Sequence, residues 1–154
     1  MRNIDEMKTS ARILMGPGPS EVHSRVLRAM ATPLIGHLDP EFLEIMDDIK
    51  VMTQETLQTQ NPLTFVVSAP GSAGMETCLV NLLEPGDEAV ICVHGVFGTR
   101  MVDIAERCGA KVIKVEAAWG SPIKAEDVKL ALNSCNPKLL AIVHAETSTG
   151  VLQS

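Results

Sequence analysis

The sequence predicts an α/β fold: a mainly parallel sheet with helices on both faces. Three observations lead there. From residue 61 onward, short β-branched or apolar runs alternate with segments of helical character. The turns between them are short. Two of the runs, Ala89-Val90-Ile91-Cys92-Val93 and Leu139-Leu140-Ala141-Ile142-Val143, are unbroken apolar stretches, which is how strands covered on both faces read.

Taken in order, residues 1–20 read as an N-terminal arm. It is polar through Ala11 and then runs into Gly16-Pro17-Gly18-Pro19-Ser20, where alternating Gly and Pro admit neither helix nor central strand. Residues 21–60 read as a helical segment. Ser20 and Glu21 mark the start of a short helix ending at Met30. Asp39-Pro40 starts a second helix, since Asp caps and Pro suits the first helical position. Phe42, Ile45, Met46, Ile49 and Met52 then recur at helical spacing, giving an amphipathic helix to about Gln58.

Residues 61–154 read as the α/β portion. Thr64-Phe65-Val66-Val67-Ser68 predicts a short buried strand. Pro70-Gly71-Ser72-Ala73-Gly74 turns into a helix over 75–83, ended by Glu84-Pro85-Gly86-Asp87. A strand over 89–93, a helix over 99–108 closed by Gly109, and a strand over 111–115 follow. A helix over 125–132 and a strand over 139–143 complete the alternation. After the last strand end, residues 146–154 read as a loop that stops without a returning helix, the mark of a cut rather than of a designed terminus.

The composition narrows the function classes. The 154 residues carry 45% hydrophobic and 21% charged side chains, with a mean hydropathy of +0.16; this excludes a disordered chain. No apolar run approaches the roughly 20 residues of a membrane helix. The net charge of −6 opposes binding to a polyanion, and 3% aromatics leave little to stack on bases, so nucleic acid is not an expected partner. Cys78, Cys92, Cys108 and Cys135 show no C-x-x-C spacing, which predicts reduced thiols rather than a disulfide framework or zinc site. With no secretory h-region at the N-terminus, a cytoplasmic protein is expected.

Ligands of open α/β sheets sit at the carboxyl ends of the strands, and four such ends can be read. Ala69-Pro70-Gly71-Ser72-Ala73-Gly74 is either a tight helix–sheet turn or an anion cradle built of backbone N–H groups; it is neither Walker A nor G-x-G-x-x-G. His94-Gly95-Val96-Phe97-Gly98 places an aromatic between glycines, either as core or as a plate against a planar ring. Trp119-Gly120 carries no evident chemistry. His144-Ala145-Glu146-Thr147-Ser148-Thr149-Gly150 gathers hydroxyls around a carboxylate, which can bond a ligand or simply cap turns. His37, beside Gly36, reads by itself as structural. No metal-ligand set, nucleophile elbow or fixed-spacing triad is present.

Together, Gly16-Pro17-Gly18-Pro19-Ser20, Pro33-Leu34-Ile35-Gly36-His37, Ser72-Ala73-Gly74-Met75-Glu76, Asn81-Leu82-Leu83-Glu84-Pro85-Gly86-Asp87 and the run from His144 to Gln153 resemble, in order, the class V pyridoxal-phosphate aminotransferases. The nearest branch is the alanine–glyoxylate (serine–pyruvate) one. The resemblance implies the N-terminal part of a fold-type I large domain that binds pyridoxal 5'-phosphate and works as a homodimer on a small amino acid and a 2-oxo acid. It implies cofactor-phosphate contacts at Gly71 and Ser72, ring stacking on Phe97 where relatives often carry Trp, and a hydroxyl contact from Thr147. It places Gly18, Gly36 and His37 at the substrate carboxylate, the last two from the dimer partner. Pro70 departs from the pattern, because relatives often carry Ser or Thr there and Pro has no N–H to give.

The family's covalent anchor lysine, the acid on the pyridine nitrogen and the arginine for the substrate lie downstream of Gln153. None of Lys8, Lys50, Lys111, Lys114, Lys124, Lys129 and Lys138 lies in a Gly/Ser-rich strand-end loop, so no catalytic residue is expected within this chain and the chain alone is expected to be inactive. Two alternatives stand beside this reading: an inactive truncated chain that binds phosphate or a partner, and a different class V chemistry such as desulfuration or lyase activity.

Overall fold

The computed structural model describes residues 9–153, and the expected arm over residues 1–8 lies outside them. The chain divides into two units, Met1–Thr64 and Phe65–Ser154.

The first unit holds α1 (Ser24–Met30) and α2 (Pro40–Leu57). α1 starts later than Ser20 suggests. The imidazole Nδ1 of His23 accepts from Arg25 N at 3.2 Å and serves as the cap, so the helix begins after it rather than after the serine. α2 begins as expected: Asp39 Oδ1 accepts from Glu41 N at 2.9 Å, with Pro40 in the first turn. It ends at Gln58, whose φ of 52° is left-handed, a conformation that breaks the helical hydrogen-bond run. Its apolar stripe is not buried within the described residues; Ile45, Met46 and Met52 are all exposed.

The second unit is the α/β body. Its elements are α3 (Gly71–Leu82), β1 (Glu88–Val93), α4 (Val96–Arg107), β2 (Lys111–Glu116), α5 (Ala125–Ser134), β3 (Leu139–Ala141), β4 (Ala145–Glu146) and β5 (Val151–Leu152). The main sheet has the order β2-β1-β3, all parallel, with Val90 opposite Ile113 and Leu140. β1 is therefore central, and this is why its sequence is apolar on both faces. Ala89, Ile91 and Val93 pack on one face with Leu79 of α3 and Met101, Val102 and Ala105 of α4. Val90 and Cys92 pack on the other with Val115, Ile123 and, at the rim, Val128 of α5. Val90 and Ile91 are wholly buried, and each such side chain contributes on the order of 2 kcal/mol of transfer free energy.

Three expectations fail here. Residues 64–68 form no strand: Phe65 and Val66 are exposed, because no neighbouring strand among the described residues offers a ladder, and β-branched residues without a ladder stay irregular. The strand expected over 139–143 pairs only through Ala141, and the loop expected after it instead forms the antiparallel β4–β5 pair. Glu146 O there accepts from Gly150 N at 2.9 Å, closing a tight turn in which Gly150 takes a left-handed φ of 73°.

Candidate functional site

The chemistry-bearing residues of the second unit gather where the C-terminal end of β1 and strand β4 meet the start of α4, with the start of α3 tied in through Arg100. α3 begins at Pro70, which provides no side-chain cap. The Pro70 carbonyl accepts from Ala73 N at 2.9 Å and Gly74 N at 3.3 Å. Gly71 N and Ser72 N have no acceptor among the described residues. Two free N–H groups at the positive end of a helix are what an anion seeks. A Cβ on Gly71 would meet nothing within 4 Å, so the approach is open. Ser72 Oγ accepts from Arg100 Nη1 at 2.5 Å, which leaves the hydroxyl proton free to donate outward.

Arg100 also links this turn to the next strand end. Its guanidinium lies 5.4 Å from the centroid of the half-buried Phe97 ring, within cation–π range. Phe97 sits in the first turn of α4, held close to the sheet by Gly98. A Cβ there would lie 2.8 Å from Cys92 O and 2.9 Å from Val93 Cα. Only glycine allows this approach.

The N-terminus of α4 receives no cap from Gly95. Its cap comes from the far end of the chain. Glu146, 1% exposed, accepts through Oε2 from Phe97 N at 3.1 Å and Gly98 N at 3.3 Å. Its Oε1 accepts from Ser148 Oγ at 2.6 Å and Ser148 N at 3.3 Å, while Ser148 Oγ accepts from Val96 N at 3.0 Å. Burial by itself would push this carboxyl upward. The hydrogen bonds from Ser148, Gly98 and Phe97 more than offset that and hold it below the ordinary glutamate value of 4.5. Thr147, between Glu146 and Ser148, is exposed at the same edge. Thr149 Oγ1 donates to His94 O at 3.1 Å, adding a further tie between the two strand ends. His94 itself is wholly buried, with neither ring nitrogen paired among the described residues.

Of the residues read from sequence, Ser72 and Phe97 are thus joined by Arg100, and Phe97 and the Thr147 segment by Glu146. Gly18, Gly36 and His37 belong to the first unit. Gly18 lies in a bend, and Gly36 and His37 form the exposed approach to α2, where Gly36 O accepts from Asp39 N at 3.0 Å. Among the described residues no group of three His, Cys, Asp or Glu side chains could hold a metal ion, and no helix is long and apolar enough to cross a membrane. Arg100, Glu146 and Ser148 were not legible as site-building residues. Apart from the bonds between Glu146 and Ser148, their partners lie 28 to 52 positions away, beyond any local pattern.

Comparisons with known proteins place the chain in a family. The aminotransferase class-V family profile matches residues 16–154. The chain is 46% identical to the alanine–glyoxylate aminotransferase of Rattus norvegicus over 142 residues, which is 92% of this chain and 34% of that protein. It is 41% identical to the (S)-ureidoglycine–glyoxylate transaminase of Bacillus subtilis over 94% of this chain and 35% of that protein. The crystal structure of an alanine–glyoxylate aminotransferase from a Nostoc species superposes with a TM-score of 0.93 at 46% identity, covering 98% of this chain and 40% of that one. The chain therefore spans about a third of the length of the curated relatives it matches. From its motifs, its α/β fold and these likenesses, the chain belongs to the class-V aminotransferase family.

Proposed function

We propose that this chain forms the cofactor-cradling N-terminal portion of a pyridoxal-phosphate aminotransferase. The whole enzyme moves an amino group from alanine or serine to glyoxylate or another small 2-oxo acid. The observation that carries this reading is the convergence of a free helix N-terminus, a half-buried aromatic and a hydroxyl-bearing strand end on one sheet edge. The residues present fit the cofactor: Gly71 N and Ser72 N are open donors, and the space over Gly71 is clear.

Each group has a defined task. Gly71 N, Ser72 N and the Ser72 hydroxyl receive the phosphate. Arg100 orients that hydroxyl and brings positive charge to the anion. Phe97 offers its ring to the pyridine face, with less area than Trp would give. Thr147 donates to the ring oxygen. Pro70 contributes a carbonyl to the helix but no N–H to phosphate, so Gly71 and Ser72 carry that contact. Bound there, pyridoxal phosphate supplies the carbonyl and electron-withdrawing ring on which amino transfer depends. Gly18, Gly36 and His37 receive the substrate carboxylate, the last two from the second copy of a cytoplasmic homodimer.

The covalent anchor lysine comes from outside residues 1–154 in this reading. Lys114 pairs with Glu106 at 3.5 Å and Lys138 with Asp87 at 2.9 Å. Lys111 opens β2, Lys124 precedes α5, and Lys129 lies within α5. None of these stands at the C-terminal end of a strand. The full-length protein assayed with alanine or serine and glyoxylate should form glycine with pyruvate or hydroxypyruvate. Residues 1–154 alone should show no turnover. Borohydride trapping of the cofactor on a lysine within residues 1–154, or a full-length protein inert toward every such pair, would overturn the reading.

A further inference from the structure

We propose that Glu146 is a positioning residue that sets the ring and hydroxyl contacts of the cofactor site, a role that rests on the reading above. One buried carboxylate spans the two segments that carry Phe97 and Thr147. Its Oε2 accepts from the backbone N–H of Phe97 itself and of Gly98. Its Oε1 accepts from Ser148 N and Oγ, the residue directly after Thr147. Ser148 Oγ passes the connection on to Val96 N, so all three N–H groups of the first α4 turn close on this one pair of side chains.

The surroundings are built for the carboxylate. A Cβ on Gly95 would lie 2.4 Å from Glu146 Cγ and Cδ and 2.6 Å from Ser148 Oγ. Only a residue without Cβ lets the carboxyl reach the helix end. The charge faces the positive end of the α4 dipole, and its hydrogen bonds outweigh the effect of burial on its ionisation. Phe97 and Thr147 themselves make no direct bond that would fix their separation. The clamp is what relates them, while the Gly71 and Ser72 N–H donors belong to α3 and are reached from α4 by Arg100, outside the three N–H groups that the clamp holds. Loosening Glu146 therefore shifts the ring contacts more than the phosphate contacts. Misplacement by about 1 Å costs up to a hundredfold in function.

The test uses the full-length protein carrying Phe97→Trp and Trp119→Phe. Trp119 is the one tryptophan of residues 1–154; with every tryptophan outside them also changed to Phe, the emission reports on position 97. Pyridoxal phosphate should quench this emission in the parent. Glu146→Ala and Ser148→Ala should weaken pyridoxal-phosphate affinity about ten- to hundredfold and blunt the quench. Competition by inorganic phosphate should stay within about threefold of the parent, a change of under 1 kcal/mol. Glu146→Gln keeps one acceptor oxygen and should recover part of both signals. Circular dichroism establishes that each variant is folded; if Glu146→Ala is not, Ser148→Ala and Glu146→Gln carry the test. Folded variants with parental affinity and full quench would refute the role. Equal losses for pyridoxal phosphate and inorganic phosphate would reduce Glu146 to a structural cap and refute it as well. If the parent shows no quench and Thr147→Ala leaves affinity unchanged, the cofactor reading itself fails, and the proposal falls with it.

Discussion

Two glycine-to-alanine substitutions should move stability in opposite directions, and the structure gives both magnitudes. Gly98 lies in the first turn of α4, and an added Cβ would stand 2.8 Å from Cys92 O and 2.9 Å from Val93 Cα. Both neighbours are backbone of the central strand, where no side chain can swing aside. α4 would have to lift from the sheet, and with it Met101, Val102 and Ala105, all buried. Overpacking of this kind costs about 1–3 kcal/mol, against which Ala returns up to about 1 kcal/mol of helix propensity. The net loss is about 1–2 kcal/mol. For a chain of this size it lowers the thermal midpoint by about 2–8 °C. Gly74 sits inside α3, where an added Cβ would meet nothing within 4 Å. Gly74→Ala should therefore stabilise by about 0.5–1 kcal/mol. Thermal and urea unfolding of the two variants beside the parent decide the matter. A Gly98→Ala protein as stable as the parent would show that α4 does not depend on this close approach.

Further outcomes follow from the same structure. Arg100→Ala should weaken pyridoxal-phosphate binding about tenfold, roughly 1.4 kcal/mol, with Arg100→Lys intermediate because it keeps charge but not the planar fork; unchanged titration curves would remove Arg100 from the site. Burial raises the Cys92 thiol above its ordinary value, so native protein treated with iodoacetamide near pH 8 should label at the exposed Cys78 and spare Cys92 until unfolded. Early modification of Cys92 in peptide mapping would contradict its packing. Glu146 has a lowered folded-state pKa. The stability it contributes is fully present above the unfolded value of 4.5 and is lost as pH falls through the lower folded value. Asp87, lowered by its hydrogen bond from Lys138, acts in the same direction. Glu146→Gln should flatten the acid limb of a stability–pH curve, and an acid limb as steep as the parent's would count against the ionised cap.

Legibility from sequence tracked how local the determining physics is. The central strand was readable because burial on both faces leaves an unbroken apolar run. The start of α2 was readable because Asp39 and Pro40 act within one turn. The start of α1 departs from the Ser20 signal because a histidine nitrogen, not the Ser20 hydroxyl, takes the capping position. Residues 64–68 have strand-like side chains, yet a strand exists only with a neighbour, and no local pattern reveals one. The β4–β5 pair is too short to show a period. At the site, Ser72, Phe97 and Thr147 each attracted notice through their places at strand ends, and the family resemblance gave them tasks. Their connectors escaped. Arg100 reads as one more solvated helix cation, and Glu146 as a carboxylate in a polar turn, because each acts on residues far away in the chain.

The central claim is that Gly71, Ser72, Phe97 and Thr147 form one pyridoxal-phosphate cradle. The most direct test is a crystal structure of the full-length protein with the cofactor bound. The phosphate should lie on Gly71 N and Ser72 N at the start of α3, the pyridine ring against Phe97, and the ring oxygen within hydrogen-bond reach of Thr147. A phosphate seated away from the α3 N-terminus, or a ring out of contact with Phe97, would contradict it.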